Sequence, residues 1–430
     1  MRRRTFLLSS LGLSVGFLAP LSACTDGDET PLPKGPDEEG VKFGALQKGP
    51  YLQFLSPTTA RLRFETRIDE ETPVVIRRAR GEERPAVQRE ATTLDYWRPA
   101  MGRRHVGDDK GEHVLHELLL EDLEPGELVS YTIEQHAGPP IDGEFRTPVA
   151  SGNDFRLGWI SDTMFPNLEE PVARLTALEP DVVIHGGDLT YDANPFDSWN
   201  QFMAAFAPLF RQSAVQVVVG NHEFESQDEI SQQFDRLFNG QGGVDGTQRY
   251  HAFTYGGVRF ICIDSESGDI EDESSAQVQW LDAQLAQAQS DPTIREIVAA
   301  FHRPIYTLSK HGRTSSIGAR DVLHPRFRDA GVRLVLCGHA HSYEHFHVEG
   351  VHYIIDGGGG ALLYNPDEKL EEIDEIRPGE SELRVFASQT YGVTTVDFKA
   401  SGGFLIERHN AKDGQIEHTI EETSPAVFPT

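Results

Sequence analysis

After Pro148 the chain alternates short apolar runs of β character with helical stretches, and five of those runs end on a side chain able to hold a metal ion. Phe155 to Ser161 leads to Asp162, Asp181 to Gly187 leads to Asp188, and Val215 to Gly220 leads to Asn221-His222-Glu223. Ile297 to Phe301 leads to His302, and Val332 to Gly338 leads to His339-Ala340-His341. Open α/β sheets gather their sites at the carboxyl ends of strands, so the pattern restricts this segment to an α/β fold whose strand tips converge. Helical spacing from Leu168 to Leu178, and again at Val278, Leu281, Leu285 and Ala288, supplies the layers that cover the sheet. The donors are oxygen and nitrogen with no thiolate, which suits Fe, Mn or Zn. Two carboxylates, an amide oxygen, three histidines and a tyrosine exceed one coordination sphere, yet serve two adjacent ions if a carboxylate bridges them.

Gly187, Gly220 and Gly338 stand just before ligands, and each is read as letting the backbone turn sharply so that the next side chain enters a shared crevice. Between Gly49 and Pro148 the pattern differs. Runs such as Ala60-Arg61-Leu62-Arg63-Phe64 alternate apolar with polar residues and are parted by turns such as Glu124-Pro125-Gly126-Glu127, the mark of half-buried antiparallel sheet. The expected organisation is an all-β sandwich over 44–149, an α/β domain over 150–420 and a tail at 421–430. The acidic stretch Asp367 to Glu382 is read as a solvated loop.

Residues 1–24 read as an address. Arg2-Arg3-Arg4 precedes an apolar stretch from Phe6 to Ala19 and the small-residue site Leu21-Ser22-Ala23-Cys24. The start resembles a twin-arginine export signal and the end a lipobox, which predicts export to a bacterial periplasm or cell surface and lipidation of Cys24. Membrane attachment would then run through that lipid alone. Residues 25–43, acidic and rich in Pro and Gly, read as a disordered linker. Lys and Arg number 39 against 68 Asp and Glu, a formal charge of −29, so nucleic-acid binding is not expected, because phosphate-backbone contacts need a basic face. Three cysteines make no disulfide framework, and Cys262 and Cys337 fall within apolar runs expected to be buried strands.

The series Asp162, Gly187-Asp188-Leu189-Thr190-Tyr191, Gly220-Asn221-His222-Glu223, His302 and Gly338-His339-Ala340-His341 resembles the calcineurin-like metallophosphoesterases. The tyrosine at 191 points to their purple acid phosphatase branch. Gly49-Pro50-Tyr51-Leu52-Gln53, Phe145-Arg146-Thr147-Pro148, Tyr343-Glu344 and the glycines 357–360 fit the same branch. The resemblance implies a two-sheet α/β/β/α catalytic sandwich preceded by a fibronectin-III-like module. It implies a first ion, ferric, on Asp162, Asp188, Tyr191 and His341, and a second divalent ion, Fe, Zn or Mn, on Asn221, His302 and His339, with Asp188 bridging. His222 would protonate the leaving alkoxide, Glu223 would orient it, and His311 would contact substrate phosphate. Met164 and His345 depart from the family pattern. A methionine is no ligand for a hard cation, so the first ion then depends more on Tyr191.

The implied activity is hydrolysis of phosphate monoesters by in-line attack of metal-bound hydroxide. Two cations about 3.5–4 Å apart activate water and offset the charge that grows on both attacking and leaving oxygens. An imidazole acid suits the poor leaving group. The alternatives are a phosphodiesterase using the same two ions, and an exported binding protein whose metal site is inert. The elbow-like Gly12-Leu13-Ser14-Val15-Gly16 lies in the export signal and is set aside. His185 is read as packing, and Arg303 and Arg313 as surface arginines, the alternative being contact with a substrate anion.

Overall fold

Strand alternation up to Arg146 builds two antiparallel sets of strands. The computed structural model describes residues 46–67, 74–85, 87–95, 112–135, 138–191, 195–225, 229–238, 247, 249–310 and 317–428. The expected export signal, the linker, His311 and Arg313 lie outside these residues. Strands β1 (Leu46–Ser56), β2 (Thr59–Arg67), β3 (Val74–Ala79), β4 (Glu82–Pro85), β5 (Val87–Asp95), β6 (Glu112–Leu120), β7 (Leu128–Glu134) and β8 (Ile141–Arg146) pair in the orders β1-β2-β6-β5 and β4-β3-β7-β8. In β7, Val129, Tyr131 and Ile133 face a buried core while Leu128 and Glu134 are exposed, as a period of two requires. These early strands are continuous with the later ones. β1 runs parallel to β11 (Ala214–Val217), pairing Leu52 with Ala214, so one ten-stranded sheet crosses residue 149.

The remaining strands are β9 (Phe155–Ile160), β10 (Val182–His185), β12 (His251–Tyr255), β13 (Val258–Ile263), β14 (Glu296–Phe301), β15 (Leu334–Cys337), β16 (Tyr343–Val348), β17 (Val351–Asp356), β18 (Arg384–Ser388), β19 (Gly392–Phe398), β20 (Phe404–Asn410) and β21 (Ile416–Glu422). The helices are α1 (Glu169–Ala177), α2 (Pro195–Phe210), α3 (Asn221–Glu225), α4 (Glu229–Phe238), α5 (Ala276–Ser290), α6 (Ile317–Ala330) and α7 (Leu370–Ile376). The order β21-β20-β19-β9-β10-β11 continues into β1, and a second sheet runs β12-β13-β14-β15-β17-β16-β18. Both have parallel centres: β9, β10 and β11 in the first, and β13, β14, β15 and β17 in the second.

Alternation along these strands sorts side chains into three cores. Phe155, Leu157, Trp159, Val182, Ile184, Phe260, Cys262, Val298, Ala300, Leu334 and Leu336 fill the space between the sheets. Their sequence neighbours Ile261, Ile263, Ile297, Ala299, Phe301, Val335 and Cys337 share a second core with Leu281, Leu285 and Leu323 of α5 and α6. Ile160, Val183, Val215 and Val217 share a third with Val172 of α1 and with Phe202, Phe206 and Phe210 of α2. Strands covered on both faces are continuously apolar, and the result is a helix/sheet/sheet/helix stack. Helix α5 starts where expected because the Ser275 side chain accepts the Val278 N–H at 3.1 Å. The acidic stretch expected to be a solvated loop instead carries α7, since Ile373 buries itself in the second core and orders the turn around it. Among the described residues no helix is long and apolar enough to cross a membrane.

Candidate metal centre

Neighbouring strands deliver neighbouring ligands. Asp162 follows β9, Asp188 follows β10, and Asn221 opens α3 just after β11, so three adjacent parallel strands of the first sheet end together. His302 follows β14, and His339 and His341 follow β15, its neighbour in the second sheet. Backbone hydrogen bonds stitch the tips. Asp162 N–H donates to Gly187 O at 3.1 Å, Thr163 N–H to Asp188 O at 3.0 Å, and Gly338 N–H to His302 O at 3.0 Å. The His339 N–H then donates across the sheets to Asp162 Oδ2 at 2.8 Å.

Three of the ligands sit in the left-handed region although none is glycine: Asp162 at φ 59°, Asp188 at 53° and His339 at 66°. Such backbone is unfavourable for these residues and persists where its surroundings hold it, commonly at functional sites. Gly187, at φ 94°, makes the sharp turn expected of it. Gly220 and Gly338 do not; what they provide is room. A Cβ on Gly220 would lie 2.3 Å from Asp188 Oδ1, and one on Gly338 would lie 2.0 Å from Ser161 Oγ.

The seven predicted ligands divide into two sets. Tyr191 donates its hydroxyl to Asp162 Oδ1 at 2.9 Å and lies 2.9 Å from His341 Nε2, which is itself 3.4 Å from Asp162 Oδ1. In the other set His302 Nε2 is 3.1 Å from Asn221 Oδ1, 3.3 Å from Asp188 Oδ2 and 3.3 Å from His339 Nδ1. Donor atoms of Asp188, His302 and His339 all lie within 4.8 Å of one another. Backbone carbonyls orient two of the rings. His302 Nδ1 is 2.8 Å from Gly186 O and His341 Nδ1 is 2.8 Å from Leu362 O. A carbonyl only accepts, so each Nδ1 carries the proton and each Nε2 turns toward the cluster, an arrangement typical of metal-binding histidine.

The electrostatics fit a site made for cations. Burial works against ionising Asp188, yet His302 and, less strongly, His222 hold its carboxyl well below the usual carboxylate range. Burial pulls His302 down, but Asp188 and Asp162 outweigh it and lift the imidazole to about 10. A proton on Nε2 thus stands where a cation would. Burial, then Asp162 and Asp188, push the Tyr191 phenol well above its ordinary value, so without a nearby positive charge it stays protonated. The donor set, its burial and its locked tautomers suit two hard or borderline cations.

His222 lies at the mouth, with a side chain 36% exposed, its Nε2 3.9 Å from Asp188 Oδ2 and its ring centroid 4.2 Å from that of Tyr191. Glu223, expected to orient His222, is engaged by the backbone of the strand tips. Its carboxylate accepts the N–H groups of Asp188 and Leu189, both at 2.8 Å, and of Gly220 at 2.9 Å. Burial and the Asp188 charge raise it to about 8. His345 takes part in a histidine chain, 3.0 Å from His418 Nε2 and 2.9 Å from His352 Nδ1. His185 packs against Phe202 and Phe206 as expected.

Sequence reasoning missed the carbonyls of Gly186 and Leu362, because a backbone acceptor leaves no residue-type signal. It also missed Tyr364, whose ring stacks on His341 with centroids 4.1 Å apart and planes at 16°.

Residues 155–343 match the family model of calcineurin-like phosphoesterases. Purple acid phosphatase 22 of Arabidopsis thaliana is 26% identical over 234 residues, 50% of this chain and 53% of that protein. Purple acid phosphatase 21 of the same plant is 28% identical over 228 residues, 48% of this chain and 51% of its own length. The chain therefore spans about half the length of the curated relatives it matches. The structure of purple acid phosphatase PPD1 from yellow lupin (Lupinus luteus) seeds superposes with a TM-score of 0.71 at 19% identity, covering 87% of this chain and 74% of the other, a likeness of fold. The strand tips that present two carboxylates, an amide, a phenol and three imidazoles all lie within the stretch that matches the calcineurin-like phosphoesterases, and the chain is similar to purple acid phosphatases in sequence and in fold.

Proposed function

We propose that the chain hydrolyses phosphate monoesters with two cations held by Asp162, Tyr191 and His341 on one side and Asn221, His302 and His339 on the other, with Asp188 between them. The observation that carries this reading is the division of seven donors into two touching sets at the carboxyl ends of two facing sheets. Such a cation pair, when bound, supplies an activated water and neutralises charge developing at phosphorus. The residues of this chain do the rest. Asp188 and Asp162, buried and fixed by backbone amides, hold the centre's negative charge in place. His222, half-open to solvent beside Asp188, delivers a proton to the departing oxygen. Glu223 locks the β10 and β11 tips together so that Asp188 and Asn221 keep their spacing.

An iron ion on the Tyr191 side belongs to the same proposal, supported by the phenol hydroxyl lying between Asp162 and His341. So do export through the twin-arginine pattern, lipidation at Cys24 and a fibronectin-III-like assignment for 44–149, which the sequence pattern supports. The test is hydrolysis of p-nitrophenyl phosphate and bis(p-nitrophenyl) phosphate, side by side, by protein loaded with iron plus zinc or manganese. The expected result is faster monoester turnover with two ions per chain. Faster diester turnover would replace the monoesterase reading, and two bound ions with no turnover would make the site inert.

A further inference from the structure

We infer that Arg303 is a second recognition element of this site, a guanidinium that contacts a phosphoryl oxygen of the substrate, and that the buried Glu266 positions it. The inference rests on the proposed phosphoesterase reading and extends it to a residue read from the sequence as a surface arginine, with contact to a substrate anion as the alternative.

Arg303 follows His302 directly, so the strand tip that carries a ligand also carries this cation. Its Nε donates to Glu266 Oε2 at 2.7 Å, and the Glu266 side chain is only 2% exposed. The second carboxylate oxygen accepts the Ser265 hydroxyl at 3.0 Å, and that same hydroxyl oxygen accepts the Arg303 N–H at 2.9 Å. Glu266 in turn donates its own N–H to Asp264 Oδ1 at 2.8 Å. Main chain and side chain of Arg303 are thus clamped to one segment just after β13. The arginine itself keeps 25% of its side chain exposed, and its Nη1 reaches to 3.2 Å from His339 Nε2.

A structural ion pair has no need to aim its outer nitrogens at a metal-binding imidazole. There is a cost to doing so, because a guanidinium beside two cations is repelled unless an anion lies among them. The geometry says where that anion goes. His339 turns Nδ1 into the cluster, 3.3 Å from His302 Nε2, so a cation bound there leaves the proton on Nε2. With that proton in place, His339 Nε2 and Arg303 Nη1, 3.2 Å apart, are both donors. A phosphoryl oxygen accepts from both, and a guanidinium already fixed through Nε loses little freedom on making that bond. Lysine has no nitrogen to spare for Glu266, so it would not be held.

The test uses the full chain loaded with its metals, and inorganic phosphate as the probe. Calorimetric titration of Arg303→Ala should show phosphate binding weakened about 10- to 100-fold, with metal content unchanged. Turnover of p-nitrophenyl phosphate should fall in kcat/KM by a similar factor, and guanidinium ion should restore part of it. Glu266→Gln should weaken phosphate binding by a smaller factor and gain nothing from added guanidinium. Should the alanine variant lose metal, Arg303→Gln, which keeps a donor for Glu266, supplies the same comparison. Metal-loaded Arg303→Ala that binds phosphate as tightly as wild type overturns the inference even if the wild type is an active phosphatase. Wild-type protein that binds phosphate through Arg303 without turnover upholds it and rejects the phosphatase reading instead.

Discussion

Glu223 accepts the backbone N–H of Asp188 at 2.8 Å, which ties the tip of β10 to the first turn of α3. Because the same carboxylate also holds Leu189 and Gly220, Glu223→Ala leaves three buried amides without their acceptor. Each such group costs about 1–3 kcal/mol. The expected outcome is a stability loss of at least about 2 kcal/mol in urea denaturation, with weaker metal binding, while added imidazole restores nothing.

Gly220→Ala should disturb the centre without touching any ligand's chemistry. The new Cβ would stand 2.3 Å from Asp188 Oδ1, so either that carboxylate or the α3 start must move. Metal titration is expected to show weakened binding on the His302 side of the site, alongside a lower melting temperature.

Tyr191→Phe removes the hydroxyl that joins Asp162 to His341 and keeps the ring that packs against His222. One ion should be lost or weakened and the other retained, which elemental analysis reads as a stoichiometry falling from two toward one. Any visible absorption of the iron-loaded protein should disappear with it; an unchanged spectrum would remove Tyr191 from the ligand set.

His222→Ala should leave both ions in place, since its side chain is 36% exposed and its Nε2 stands 3.9 Å from Asp188 Oδ2, outside the two sets of donors. As an acid for the departing oxygen it matters most when that oxygen is a poor leaving group. Alkyl phosphates should slow by about 10²–10⁴-fold and nitrophenyl phosphate far less. Equal slowing of both would exclude the acid role.

Glu65 carries a pH dependence away from the centre. Burial opposes its charge, yet Lys48, His113 and Arg236 hold the carboxyl well below its ordinary value of 4.5. A depressed native pKa contributes stability that is complete above 4.5 and fades as pH falls through the lower native value. Glu65→Gln leaves Lys48 and Arg236 facing an uncharged partner and should cost about 3–5 kcal/mol at neutral pH. Urea midpoints of wild type and variant should converge as the pH drops below 4.5, and parallel curves would contradict the assignment.

Much of this site can be read along the chain, for a physical reason. A parallel strand buried on both faces is largely apolar, so a metal-ligating side chain soon after Ile160, Phe301 or Cys337 marks a tip, and tips of adjacent strands are adjacent in space. Asp162, Asp188, Asn221, His302, His339 and His341 all follow a strand end within four residues. Helices α1 and α5 were legible through the apolar spacing of Leu168 to Leu178 and of Val278, Leu281 and Leu285.

Residue order alone determined the α/β character of the second half and named the donors that the strand tips bring together. Tertiary structure decided what depends on backbone atoms and on contacts between distant segments. The pairing of Leu52 with Ala214, which joins the early strands to the sheet whose tips carry Asp162 and Asp188, is one such case. The carbonyls of Gly186 and Leu362 that set two histidine tautomers are another, and the use of Glu223 as an acceptor for three amides is a third. Arg303 is a fourth, because only the fold brings Glu266 behind it and His339 before it. Side-chain type announces which chemistry is available; where a carbonyl points, and which two loops meet, is settled only when the sheets close on each other.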